Sequence, residues 1–421
     1  MKTKTYIFIQ LCLLPCLLFS QLLELSLEEC QVKARENYPL IKQYGFISLA
    51  ENYTLDNLTK NYLPQISLGG QASYQTQVVT IPLKIPGFNI PQMDKDQYKV
   101  AVDVTQLLWD GGATQSQNRI TKANTDLEKQ KLEVNLYTVR EKINQLYFGI
   151  LTIDRQLSQL DVLTSDLQTN YDLVSAMLKN GVVMVSDLDL VKVELLNTDQ
   201  KRIELNTLRI AYIKMLSLFI HEEISQEVEL KLPDNRVNFG EEITRPELIM
   251  YDKQNLLYEA KESTIKAKNM PKFSLFAQAG FGKPGLNMLS TDFKTYAIGG
   301  VRLSWNFGNL YTRKNDYKLI KNDMNSLESQ RETFLFNTNV QLTQIQNEIN
   351  KYKKLMAKDE EIIQLRNSVK KAGESKYKNG IYNMNDLIGD INAENQARLT
   401  HSIHEMQYLQ SIYNYKYTQG N

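Results

Sequence analysis

Little in this chain lends itself to catalysis. Its 421 residues include only 3 His, 3 Cys and 2 Trp, too few and too scattered for a metal centre or a nucleophile with its base. His401 and His404 share one helical face at i,i+3 spacing, but no third ligand accompanies them, and His221 lies far off. There is no glycine-rich phosphate loop and no nucleophile elbow. The sequence therefore reads as that of a protein without enzymatic activity, metal or cofactor. An excess of charge is also lacking. With 49 Lys+Arg against 48 Asp+Glu there is no basic stripe of the kind nucleic acid requires, so no nucleic-acid partner is expected. A mean hydropathy of −0.39, and no run of 18 or more apolar residues beyond the N-terminal segment, exclude a bundle of membrane-spanning helices.

What is present begins with that N-terminal segment. Residues 1–20 carry Lys2 and Lys4, an apolar stretch through Leu18, and Ser20 at the end, the pattern of a secretory signal. Cleavage after Ser20 leaves Gln21 first and removes Cys12 and Cys16. Pro15 stands where a lipid-attachment site wants a small residue, so lipidation of Cys16 is not expected. Cys30 is then the one remaining thiol and no internal disulfide can form.

The main finding is a duplication. Asn61-Tyr62-Leu63-Pro64-Gln65-Ile66-Ser67-Leu68 recurs as Lys268-Asn269-Met270-Pro271-Lys272-Phe273-Ser274-Leu275, 207 residues on. Tyr38-Pro39 is echoed by Arg245-Pro246 at the same displacement. Lys179-Asn180-Gly181 followed by Ser186-Asp187-Leu188 recurs as Lys378-Asn379-Gly380 and Asn385-Asp386-Leu387, displaced by 199. Trp109-Asp110-Gly111-Gly112 is answered by Trp305-Asn306-Phe307-Gly308. Four landmarks in one order argue for two copies of a unit. The expected division is a first repeat at 21–220, a linker at 221–244 and a second repeat at 245–421.

Each copy follows one plan. A helix opens it, the first starting at a Ser26/Glu29 capping box and each ending ahead of Pro64 or Pro271. Two strands follow, since Val100, Val102 and Val104 alternate with polar neighbours, as do Phe273, Leu275, Ala277 and Ala279. Alternation at period two marks a strand with one apolar face. Loops Ile81 to Pro91 and Gly282 to Thr295 separate the strands. After Gly112 and Gly308 no proline appears before Lys179 and Lys378, which predicts helices on the order of 100 Å long. In the first, Leu132, Leu136, Val139, Ile143, Leu146, Ile150, Ile153, Leu157 and Leu160 alternate steps of four and three, a coiled-coil seam. Leu342, Ile345, Ile349, Tyr352 and Met356 form a shorter, more polar version in the second. Helices return after each Gly-containing turn. The faces off the seam carry Asn135, Gln145, Gln168, Asn337 and Gln344, which suits a wetted wall.

Four strands per chain cannot close a barrel, and an open sheet edge cannot sit in lipid. If the strands span a membrane, several chains must share one barrel; three chains would supply twelve strands, within the outer-membrane range. The strands are about ten residues long, enough to cross the hydrocarbon at a tilt. Tyr98 and Trp109 bracket one, Tyr296 and Trp305 another, and aromatics gather at both membrane interfaces. The competing reading is an ordinary soluble hairpin on a structural coiled coil.

Duplication, Pro-led strand pairs, Gly-containing turns between long helices and the Ser/Asn-Asp-Leu restarts together resemble the TolC-type outer membrane efflux proteins (outer membrane factors), over about residues 22–418. The resemblance implies a mainly α fold with a β-barrel portion. In it, duplicated helical hairpins form an α-barrel in the periplasm of a Gram-negative envelope, and four strands per chain join a twelve-stranded barrel in outer-membrane lipid. It further implies a homotrimer docked to a periplasmic adaptor (membrane fusion) protein and an inner-membrane RND or ABC transporter. Such a trimer passively conducts small molecules or secreted proteins outward, as in tripartite efflux or type I secretion. The alternatives are a periplasmic adaptor, which would need a lipoyl-like domain not evident here, and a structural coiled-coil surface protein.

Matched residue by residue to the family, Gly181, Ser186 and Asp187 fall in the first tip turn, and Tyr377, Gly380 and Asp386 in the second. A periplasmic gate is then expected from Ser186, Asp187, Tyr377, Tyr382 and Asp386, with the Tyr377 hydroxyl donating to the Asp187 carboxylate. Tyr382 replaces the family's arginine, and Gly389, with Asp390 beside it, replaces a second inward acid. Asp187 and Asp386 serve equally well as helix caps. Gly181 and Gly380 fit left-handed turn positions, and Val182 and Ile381 beside them are expected to meet the adaptor.

Overall fold

The computed structural model describes residues 25–79, 87, 93–240, 242–288 and 290–421. The leader and, Gly87 apart, the Ile81 to Pro91 loop lie outside the described residues. Seven α-helices and four strands follow in order: α1 Leu27–Asn37, α2 Gln43–Thr59, β1 Gln65–Tyr74, β2 Asp96–Trp109, α3 Ala113–Lys179, α4 Val185–Ile220, α5 Pro246–Lys268, β3 Lys272–Lys283, β4 Lys294–Ser304, α6 Asn309–Lys378 and α7 Met384–Gln419. The chain divides into two compact units. One holds residues Met1–Tyr38, Thr138–Glu241 and Thr343–Tyr417; the other holds Pro39–Tyr137, Glu242–Leu342 and Thr418–Asn421.

The first unit is helical. α1 starts where its cap dictates, for the Ser26 hydroxyl accepts from the Glu29 amide while the Glu29 carboxylate accepts from the Ser26 amide. The helix does not run on to Pro64 as the sequence predicts. Tyr38 takes an extended conformation (ψ 130°) because the ring of Pro39 disfavours helix in the residue before it. A short 3-10 turn over Pro39–Lys42 then leads into α2. In the second copy Pro246 occupies the first position of α5, where its missing N–H costs nothing. The counterpart of α5 is therefore α2, and α1 is an addition to the first copy.

The core of this unit forms around α3. Val139, Ile143, Leu146, Ile150, Ile153 and Leu160 of the expected seam are all buried, as are Tyr147 and Phe148 beside it. The segment after α4 is firmly held. Leu25 and Leu230 form an isolated parallel bridge. Arg209 pairs with Asp154 and donates to the carbonyls of Gln226 and Val228.

The second unit carries one four-stranded antiparallel sheet in the order β1-β2-β3-β4, so the strand pairs of both copies meet at β2 and β3. Each strand pair returns to a helix through a matching turn. Buried Asp110 accepts from the amides of Gly112 and Thr114 and from the Tyr62 hydroxyl. Asn306 accepts from Gly308 in the same way. Those bonds explain why Trp-Asp-Gly-Gly and Trp-Asn-Phe-Gly occupy equivalent places, since an Asx side chain satisfies the first amides of the helix that follows.

Candidate functional site

Cross-strand register sorts the sheet into two faces, because directly paired residues point the same way. One face is apolar. Ile66 pairs with Val104, Leu68 with Val102, Val100 with Phe281, Val102 with Ala279, and Leu275 with Val301. These side chains lie open: Leu68 is 74% and Val301 66% exposed. The other face is largely polar, with Ser67 beside Asp103, Gln71 beside Lys99, Asp103 beside Gln278, and Ser274 beside Arg302. Along β3 the apolar-face positions are exposed while Ser274, Phe276, Gln278 and Gly280 are half-buried. That difference is expected of a sheet curved around its polar face. Among the described residues β1 and β4 each have one strand neighbour. Among the described residues the sheet therefore has two free edges and an uncovered apolar surface.

Aromatic side chains crowd both ends of the apolar face. At the loop end the ring of Phe293 lies 6.1 Å from Tyr98 and 5.4 Å from Phe281. At the helix end Trp109 lies 5.9 Å from Phe273, and Trp305 4.6 Å from Phe307. Trp109 gains this side through a register shift between Leu107 and Trp109, a bulge that re-aims the side chain.

Tyr296 does not belong to the set as expected. It pairs with Gly280 and turns its ring onto that glycine, where a Cβ would come within 2.6 Å of the ring. Its hydroxyl donates toward Gln278, on the polar face. Phe281 and Phe293 supply the rings that stand with Tyr98 at the loop end of the apolar face. Aromatic content near the strand ends was the available signal, but their side of the sheet depends on register.

At the C-terminal ends of α3 and α6 the two tip turns repeat one backbone design. Val182 donates to the Met177 carbonyl and Gly181 to that of Leu178; 199 residues on, Ile381 donates to Lys376 and Gly380 to Tyr377. This is a Schellman motif, which needs a left-handed residue after the helix. Gly181 (φ 72°) and Gly380 (φ 70°) supply it, and neither would crowd an added Cβ. Their role is thus purely conformational. Val182, Met184, Val185 and Ile381 stand exposed around the turns.

The helix restarts divide the capping work between them. At the first tip the Asp187 carboxylate accepts from the Met184 amide. At the second the Asn383 side chain accepts from the Asp386 amide. Asp187 therefore caps its helix, whereas the carboxylate of Asp386 is left exposed. Ser186 is exposed and Gly389 likewise, while Asp390 packs over Gly373 of α6.

The expected Tyr377–Asp187 hydrogen bond is not made. The Tyr377 ring is buried in an apolar cluster with Val174, Val191, Met384, Leu387 and Ile391, and its hydroxyl has no hydrogen-bond partner. Burial first, and the Asp187 charge second, push its pKa above the usual tyrosine value. Hydrophobic packing holds the ring where a hydrogen bond was anticipated. Tyr382 lies under the Lys376 ammonium at 4.7 Å from the ring centre. The second tip thus carries a cation supplied by α6, the helix before the turn.

Residues 32–212 match the family model described as outer membrane efflux protein. No curated protein matches the chain. Solved structures share its fold over nearly its full length. The outer-membrane channel OprN is 13% identical, with a TM-score of 0.67 over 94% of this chain and 89% of that one. The open state of the Neisseria gonorrhoeae MtrE outer membrane channel is 13% identical, with a TM-score of 0.63 over 94% and 89%. The Campylobacter jejuni CmeC outer membrane channel is 15% identical, with a TM-score of 0.61 over 94% and 85%. The chain thus resembles the outer membrane efflux proteins over residues 32–212 and shares the fold of solved outer-membrane channels over nearly all of its length.

Proposed function

We propose that three copies of this chain assemble into a passive exit duct, each lending its four strands to one twelve-stranded barrel. The observation that carries this is the sheet: apolar and uncovered on one face, polar on the other, with free edges at β1 and β4. Free edges in lipid would leave backbone groups without partners, and pairing β1 of one copy with β4 of the next removes every edge. The aromatic clusters at the two ends of the apolar face suit the two lipid interfaces.

The helical part supports the same reading. α4 exposes Val193, Leu196, Ile203 and Leu218, and α6 exposes Leu319, Phe336, Val340 and Leu365, apolar surface of the kind that marks a contact with another chain. The duct would take cargo from an inner-membrane RND or ABC pump through a periplasmic adaptor, which would dock on Val182, Met184, Val185 and Ile381 at the tips. Small molecules and secreted proteins are both admissible cargo. The periplasmic gate is assigned to the tip set Ser186, Asp187, Tyr377, Tyr382 and Asp386, with Lys376 added. The division into repeats at 21–220 and 245–421, joined by 221–244, belongs to this proposal. Homotypic assembly is tested by the mass of the detergent-purified chain in light scattering and its conductance in planar bilayers. A stable monomer, or a trimer with no conductance, overturns the duct.

A further inference from the structure

The polar face of the sheet is lopsided in charge. Counting by register, it carries Lys99 on β2, Lys272 on β3, and Lys294 and Arg302 on β4, against Asp103 alone. Asp103 is moreover engaged. The Gln278 side-chain amide donates to its Oδ1 at 2.5 Å, and the Gln278 oxygen accepts from Lys99 Nζ at 3.1 Å. Lys99 and Lys294 share one row near the loop end, both paired with Gly282. There the absent side chain puts no carboxylate between the two ammonium groups, and the neighbour that Lys99 meets on β3, Gln278, is uncharged. Arg302, toward the helix end, spreads its guanidinium over the Phe276 ring at 4.8 Å, covering one of the few apolar residues on this face. None of these cations forms an ion pair with a carboxylate among the described residues. The nearby Lys283 differs: it lies on the apolar face and is paired with Asp94 and Asp96.

We propose that the β portion of the duct selects for anions, with Lys99, Lys294 and Arg302 as the residues that set the preference. The proposal rests on the shared barrel described above, in which the polar face lines the lumen. Threefold repetition then places the same cations around one pore, and rings of like charge in a confined passage concentrate counter-ions and exclude co-ions. The ligand class is accordingly the negatively charged or zwitterionic solute with an accessible anionic group. Chloride serves as the probe.

The trimer is reconstituted in planar bilayers under a KCl gradient, and the chloride-to-potassium permeability ratio is read from the reversal potential. The triple variant K99Q/K294Q/R302Q should lower that ratio by about threefold or more, the sense expected when rings of cations leave a pore. Asp103→Asn should raise it. All four side chains lie on the surface of the sheet, and a trimer mass unchanged by the substitutions checks that the barrel persists. A conducting trimer whose ratio is the same in wild type and triple variant overturns the anion filter while leaving the duct intact. Failure of the wild-type chain to form a trimer or a pore defeats the duct and the filter together.

Discussion

α3 and α6 are the long helices of the two copies, 67 and 70 residues, yet they are buried very differently. Every seam residue of α3 except Leu157 is buried, and its one large apolar side chain left exposed among the described residues is Val162. On α6 only Leu342 and Ile349 of the expected seam are buried, and the helix exposes Leu319, Phe336, Val340, Ile362, Leu365 and Val369. Duplicated elements have thus been given opposite positions. α3 is finished within the protomer, and α6 presents apolar surface for which the protomer has no cover. In the proposed assembly the contact between copies falls on α6 and, by the same criterion, on α4.

That contrast can be broken from either side. The largest effect is expected from F336E/L365E, which places charge on the uncovered face of α6. Trimer mass should be lost while helical content, read by circular dichroism, stays unchanged. Ile143→Ala acts on the opposite helix and should destabilise the protomer itself by about 2–5 kcal/mol, the usual cost of a large-to-small change in a packed core. The check is denaturant unfolding followed by helical signal, and it should fail to separate the subunits before they unfold. Gly380→Ala puts a side chain at a left-handed position and should cost about 1–2 kcal/mol, seen as faster hydrogen exchange confined to the second tip.

Tyr377→Phe sharpens the picture at the smallest scale. The hydroxyl makes no hydrogen bond, so stability at neutral pH should change by no more than about 0.5 kcal/mol; a hydrogen-bonded latch would cost roughly 1.5–3 kcal/mol. The sign of the pH effect follows from the raised folded pKa. The neutral phenol is the form the fold favours, so its contribution is complete below the unfolded tyrosine value of about 10. It is lost as pH climbs from there through the folded value. Thermal melts should show an alkaline loss in wild type that is reduced in the phenylalanine variant.

Much of this was legible because it is local. Apolar spacing along Leu132 to Leu160 announces a helix that packs through one stripe, and that stripe is buried. The Gly181 and Gly380 turns read correctly since a left-handed residue is a property of the position itself. The capping box at Ser26 and Glu29 needs only three residues of context. Pro39 was legible too, but its effect was read short: it splits the opening helix, since the proline acts on Tyr38 before any packing can compensate.

What escaped the sequence depends on partners far along the chain. Tyr296 and Trp305 look alike as strand-end aromatics, but pairing with Gly280 sends Tyr296 to the polar face. Trp109 reaches the apolar face only because of the bulge after Leu107. Phe281 and Phe293 come together across a loop, and no spacing rule announces them. At the tips, Tyr377 and Asp187 stand near one another, as the resemblance implied, yet whether the hydroxyl meets the carboxylate was decided by the packing of Val174, Met384 and Leu387 around the ring.

Sequence alone therefore settled which segments are long helices, which are strands with one apolar side, and where the chain turns back, since each follows from periodicities and special backbone positions within a few residues. Tertiary structure decided which helix is covered and which is open, which face of the sheet collects the cations, and which aromatic rings face outward. Those outcomes turn on register and packing between residues up to about two hundred positions apart, and a single step of strand register would reverse each of the last two.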